Sequence, residues 1–250
     1  MAEYGTVAWF ESQYRRTATD PWGLTWRPTQ LYRYAFMIEK VRQCLAEQGI
    51  AQVSRILDVG CATGDFTHLL SRLPARPEGH QIVGADLSHT AIERARARYP
   101  GIDFRQADLD HLSTLSSERF DFVSCLEVLY YIPREARALA VRSLWQAVEP
   151  NGTVLISTMI GKAPYLQAPE LRALVAQRFD VLASGTLKLW PLVRLEKLVL
   201  RFAKPFRPRS VQSFWHGARG YSVMTRLCSL AGATFGSRAE SHAWVIGRRS

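Results

Sequence analysis

Ile56-Leu57-Asp58-Val59 runs directly into Gly60-Cys61-Ala62-Thr63-Gly64-Asp65, an apolar strand ending in a glycine-punctuated turn. Glycine lets a backbone turn sharply and approach a ligand closely. In an open α/β sheet such a turn lies at the carboxyl end of a strand, where ligands bind. The next apolar run, Gln81 to Ala85, stops at Asp86, 26 residues after Gly60. That is the separation at which a second-strand carboxylate meets the two hydroxyls of a ribose. Ile102 to Ala107 is closed by Asp108, and Phe120 to Leu126 runs into Glu127. Acids at the ends of successive strands form one line along a sheet's carboxyl edge, and that line is suited to a nucleoside.

Such a line requires parallel strands separated by helices. Gly152 to Ser157 supplies a fifth strand, introduced by Glu149-Pro150-Asn151. Phe66, Leu69, Leu70 and Leu73 give the packing face of the first crossover helix; Thr90 to Tyr99 is the second, stopped by Pro100-Gly101. Arg134 to Val148 is another, with Leu139, Leu144 and Val148 expected inward. Alternating strands and helices predict a doubly wound, mostly parallel α/β sheet. Ahead of it, Leu31, Tyr34, Ala35, Ile38, Val41 and Leu45 recur at helical spacing from Thr29 to Gln48. After Ser157 two segments compete for the last helix and strand six, Pro169 to Leu182 and Val223 to Phe235. The second is preferred because the short strand Ala243 to Gly247 follows it closely. On that choice residues 161–220 form a substrate-side insertion after strand five, and residues 1–48 an amino-terminal helical cap, within a single domain spanning 1–250.

In these steps the chain resembles the class I S-adenosylmethionine-dependent methyltransferases. Asp58-Val59-Gly60-Cys61-Ala62-Thr63-Gly64 matches that family's first motif, with Ala62 where many members carry a glycine. The resemblance implies a seven-stranded Rossmann-like sheet and S-adenosylmethionine as cofactor. It implies that Gly60, Ala62 and Gly64 cradle the cofactor, with Asp58 orienting the turn or meeting the methionine amino group. Asp86 with Leu87 falls to the ribose, Asp108 with Leu109 to the adenine, Cys125 and Leu126 to the methionine moiety. Arg33 falls to the cofactor carboxylate. Glu127 lies next to the transferable methyl, where it binds a cationic amine, takes its proton or holds the cofactor amine. Tyr130 and Tyr131 are candidates for the acceptor wall, and Tyr14 and Trp22 for a cap. A narrower similarity, to the nodulation-factor N-methyltransferases, rests on Asp20-Pro21-Trp22, Gly60-Cys61-Ala62 and Glu127-Val128-Leu129-Tyr130-Tyr131. The expected activity is methyl transfer to an amine or hydroxyl of a small-molecule or saccharide-type acceptor, without a metal.

Composition narrows the alternatives. The turn lacks the G-x-G-x-x-G spacing of a dinucleotide oxidoreductase. The net charge of +10 invites an RNA methyltransferase. Yet no nucleic-acid module is recognisable, and Leu126-Glu127-Val128-Leu129 is not the Asn/Asp-Pro-Pro-aromatic pattern used on base amines. A non-catalytic cofactor-binding interaction protein is the remaining alternative. Between Thr186 and Ser210 seven basic residues face one acid, a net of +6. Leu192, Leu195, Leu198, Val199 and Phe202 recur there at helical spacing, opposite Arg194, Lys197, Arg201 and Lys204. This predicts a basic amphipathic helix. It reads as a lid packed by its apolar side, or as a peripheral contact with anionic lipid through 191–209. Scattered cysteines and the absence of a signal-like start predict a cytoplasmic protein, with the inner membrane face as the alternative.

Overall fold

The computed structural model describes residues 3–17, 20–75, 81–115, 119–202 and 217–250. Two helices, α1 (Val7–Arg15) and α2 (Pro28–Glu47), precede the first strand. Then β1 (Arg55–Val59), α3 (Asp65–Leu70), β2 (Gln81–Asp86), α4 (His89–Arg98), β3 (Asp103–Gln106) and β4 (Phe120–Leu126) follow in order. They are succeeded by α5 (Arg137–Ala147), β5 (Val148–Met159), α6 (Ala168–Val175), β6 (Asp180–Leu187), α7 (Trp190–Phe202), α8 (Ala218–Phe235) and β7 (His242–Arg248). The seven strands make one sheet in the order β3-β2-β1-β4-β5-β7-β6. β1 to β5 are parallel to one another, whereas β7 runs antiparallel to both β5 and β6. The mostly parallel, doubly wound α/β architecture expected from the alternating pattern is therefore present.

The central strands are buried on both faces, which is why they read as continuous apolar runs. Ile56, Leu57, Phe122, Val123, Leu155 and Ile156 are all fully enclosed. One layer of core packs β4, β5 and α5, and a second packs α2 and α3 on the opposite side of β1.

Three expectations are corrected. Strand six is Asp180–Leu187, from the segment passed over, and Val223 to Phe235 lies inside α8. Nearness to the final strand in sequence misled, because β6 pairs with β7 across the intervening α7 and α8. The added helical segment thus follows strand six, not strand five. Leu139, expected inward, is exposed, while Leu144 and Val148 are buried; Val148 already begins β5. Lys204, Arg207 and Arg209 lie outside the described residues, as do the side chains of Arg201 and Phe202. Among the described residues no helix is long and apolar enough to cross a membrane.

Candidate active site

The turn after β1 is built from three left-handed residues, Gly60 (φ 73°), Ala62 (φ 51°) and Gly64 (φ 82°). Ala62 holds there a conformation that costs an L-residue about 1 kcal/mol. Its neighbours impose it: Gly60 and Cys61 donate their amides to the Ala85 carbonyl at 2.8 and 3.0 Å. The Ala62 amide donates to Asp86 Oδ2 at 3.0 Å, and Ser88 donates to Oδ1 at 2.9 Å. A side chain on Gly60 would collide with Val128 Cγ2 at 2.3 Å. Asp58 stands below this turn, fully buried, accepting from Thr67 Oγ1 at 2.6 Å and Ser124 Oγ at 2.7 Å. Burial outweighs those bonds and pushes its pKa up to about 6. Its carboxylate braces the turn and does not face the cavity.

Above the carboxyl edge lies a cavity of about 410 Å³. Arg33, Gly60, Ala62, Asp86, Leu87, Asp108, Leu109, Leu126, Glu127, Tyr130 and Tyr131 line it, together with Tyr14 and Trp22. Eleven of the fourteen site candidates read from sequence are thereby brought together; Asp58, Gly64 and Cys125 stand behind the wall. Sequence reasoning missed Phe10, Gln30, Tyr34, Trp190, Val193, Lys197 and the pair Ser241 and His242. Ser241 and His242 lie at the start of β7, placed by an antiparallel pairing that no local motif announces. Burial holds His242 neutral, its pKa lowered to about 4.

Glu127 follows β4 with φ 62°, a strained geometry of the kind found at functional sites. Its amide donates to the Ser157 carbonyl at 3.0 Å, which locks it to β5. Ser157 Oγ donates to Oε1 at 2.8 Å, and Arg33 Nη1 pairs with the same oxygen at 3.1 Å. Arg33, from α2, is 4% exposed, so solvation is not its role. Four buried side-chain polar atoms lack a partner among the described residues, and three belong to this cavity: Gln30 Oε1, Arg33 Nε and Glu127 Oε2. Native interiors rarely leave such groups unmet, because each costs about 1–3 kcal/mol. The Tyr130 and Tyr131 rings lie beside them, centroids 4.4 Å apart and planes tilted by 44°, with burial raising both phenols, Tyr131 to about 12.

The wall opposite β4 comes from outside the sheet. Asp20 accepts from the amides of Trp22, Gly23 and Thr25 at 2.8 to 3.0 Å and so pins Trp22 and Leu24 at the cavity. Glu11 of α1 accepts from Ser88 Oγ, Thr90 N and Thr90 Oγ1 at the start of α4. Across the mouth, Glu196 of α7 accepts from Arg27 Nε and Nη2 and from Thr29 N and Oγ1, at 2.6 to 3.1 Å. α7 is thus clamped to the start of α2 and presents Trp190, Val193 and Lys197 to the cavity.

The profile of a methyltransferase-domain family matches residues 56–152. A ubiquinone biosynthesis O-methyltransferase of Alkalilimnicola ehrlichii is 36% identical over 126 residues, 49% of this chain and 47% of its own length. Nodulation protein S of Bradyrhizobium diazoefficiens is 31% identical over 56% of this chain and 62% of its own. The chain spans about half the length of several curated relatives it matches. Among solved structures, an N-methyltransferase of Bradyrhizobium japonicum WM9 in complex with S-adenosyl-L-homocysteine superposes at a TM-score of 0.62, 18% identical, covering 98% of both chains. A cyclase superposes at 0.56 with 16% identity, over 85% of this chain and 80% of its own. Likeness at such identities establishes the fold, and the fold alone does not fix the reaction. By its glycine turn and strand order the chain has the class I methyltransferase fold, and over residues 56–152 its sequence matches a methyltransferase-domain family.

Proposed function

We propose that the protein transfers a methyl group from S-adenosylmethionine to an amine or hydroxyl of a small-molecule or saccharide-type acceptor. The observation that carries this is the set of unpartnered polar atoms, Gln30 Oε1, Arg33 Nε and Glu127 Oε2, beside the glycine turn and Asp86 in one cavity. These groups fit the cofactor: the Arg33 donor suits its carboxylate, the Gln30 oxygen its ammonium, and Asp86 its ribose. Gly60 leaves room for backbone approach, while Asp108, Leu87 and Leu109 offer a polar edge and apolar walls for a base. When bound, the cofactor supplies an activated methyl on a sulfonium, so the protein's work is positioning, water exclusion and handling of one proton.

Trp22, Tyr14 and α7 exclude water from the mouth. Tyr130 and Tyr131, protonated across the physiological range, give the acceptor side an aromatic wall. Glu127 Oε2 takes the acceptor's proton, its carboxylate held in place by Ser157 and Arg33. The test is Glu127→Gln, with calorimetry for cofactor and labelled methyl transfer across amine and hydroxyl acceptors. Near-normal cofactor affinity with turnover lowered roughly 10²–10⁴-fold supports the base assignment. Equal loss of cofactor binding moves Glu127 to the methionine side. Failure of the wild-type protein to bind S-adenosylmethionine overturns the proposal.

A further inference from the structure

Ten large apolar side chains are exposed among the described residues, and seven of them lie on two helices. Leu195, Leu198 and Val199 are on α7, and Val223, Leu227, Leu230 and Phe235 are on α8. Scattered exposed apolar residues are ordinary, but a concentration marks a contact surface. The two helices share an inner cluster through Leu192, Val193, Met224 and Cys228. Leu195, Leu198 and Val199 therefore do not serve to seat α7 on the domain, as a lid packed by its whole apolar side would require. Val223, Leu227 and Leu230 follow helical spacing and form one stripe along α8.

The exposed charges on these two helices, among the described side chains, are all of one sign. Arg194 and Lys197 on α7, and Arg219 and Arg226 on α8, are exposed. α8 contains no acid, and the one acid of α7, Glu196, is already neutralised by Arg27. Interleaved leucines and uncompensated cations match an anionic bilayer surface, where phosphates take the cations and the acyl boundary takes the apolar stripe. A second copy would bring cations against cations. We propose that α7 and α8 together dock the protein on anionic lipid. Trp190, Val193 and Lys197 of the same α7 line the cavity, so docking sets a helix of the cavity wall on the bilayer. The inference goes beyond methyl transfer and does not depend on it.

The test is sedimentation of the full chain with vesicles of phosphatidylcholine, alone or with phosphatidylglycerol. Binding should be roughly tenfold stronger to the anionic vesicles and should be released by added salt, which screens the cations. Leu198→Ser with Leu230→Ser, and separately Arg219→Gln with Arg226→Gln, should each lower it about fivefold or more. Melting temperature and S-adenosylhomocysteine affinity, measured on the same samples, should stay at wild-type values. Equal binding to both vesicle types, or none to either, overturns the proposal. So does a wild-type oligomer that the leucine variant converts to monomer without changing sedimentation. Calorimetry on the nucleoside reports separately on the methyltransferase proposal.

Discussion

Asp58 and His242 are buried groups near the cavity floor whose effects on stability oppose each other. The Asp58 pKa rises from 3.8 to about 6 on folding. The native state therefore binds the extra proton between those values, so this stabilisation is complete below pH 3.8 and is lost as pH rises to about 6. A shift of about two units is worth about 3 kcal/mol. The His242 pKa falls from 6.5 to about 4. Its contribution is present above pH 6.5 and is lost as pH falls to about 4, again about 3 kcal/mol. Between about pH 4 and 6.5 the two contributions nearly cancel. His242→Gln should therefore leave stability falling with rising pH relative to wild type. Asp58→Asn, whose amide still meets two rotatable hydroxyls, should leave it falling with decreasing pH. Urea unfolding followed by tryptophan fluorescence measures this, and subtracting the wild-type profile removes the groups common to all three proteins. Each difference should span about 2–3 kcal/mol across the window. Two variants that parallel wild type within about 0.5 kcal/mol would refute the reasoning.

Gly60→Ala should cost about 1–3 kcal/mol of stability and weaken cofactor binding, because a Cβ meets Val128 at φ 73°; a thermal melt and calorimetry check both. Asp86→Asn should weaken S-adenosylmethionine by about 1.5–3 kcal/mol, and unchanged affinity would remove Asp86 from the site. Glu196→Gln should cost about 2–3 kcal/mol by leaving Arg27 without a counter-charge. Its local signature is faster hydrogen exchange in α7, and unaltered exchange would show that the clamp does not hold the helix.

The parallel half of the fold was legible because its strands are buried on both faces and its ligand turn needs glycine. Both are local properties, written at Ile56 to Gly64 and repeated at Asp86, Asp108 and Glu127. Strand six was not legible. Asp180–Leu187 is an edge strand of mostly half-buried residues, and only its pairing with β7 distinguishes it from a hairpin elsewhere. Arg33 was readable as a helix residue, but its burial against Glu127 arises from α2 crossing the end of β4. Asp58 was readable as an acid in the motif; its service to the turn depends on Thr67 and Ser124, which come from separate elements. The amphipathic pattern of α7 was visible, yet periodicity says nothing about which stripe turns inward.

The cavity divides along the same line. Gly60, Ala62, Asp86, Leu87, Asp108, Leu109 and Leu126 fall within the segment shared with the methyltransferase-domain family. Phe10, Tyr14, Trp22, Gln30 and Arg33 come from before it, and Trp190, Val193, Lys197 and His242 from after it. The first set is held by backbone turns and sheet register, which tolerate little change. The second, apart from His242 in the register of β7, is held by side-chain clamps, Asp20 on its own loop, Glu11 on α4 and Glu196 on Arg27 and Thr29. Clamps of this kind can be re-sited without disturbing the sheet, so acceptor choice is expected to vary with the flanking segments while the nucleoside edge stays fixed. Exchanging α7 for the corresponding helix of a relative should then change the acceptors methylated more than the affinity for S-adenosylhomocysteine. A swap that alters nucleoside affinity and leaves acceptor preference intact would place the acceptor wall elsewhere.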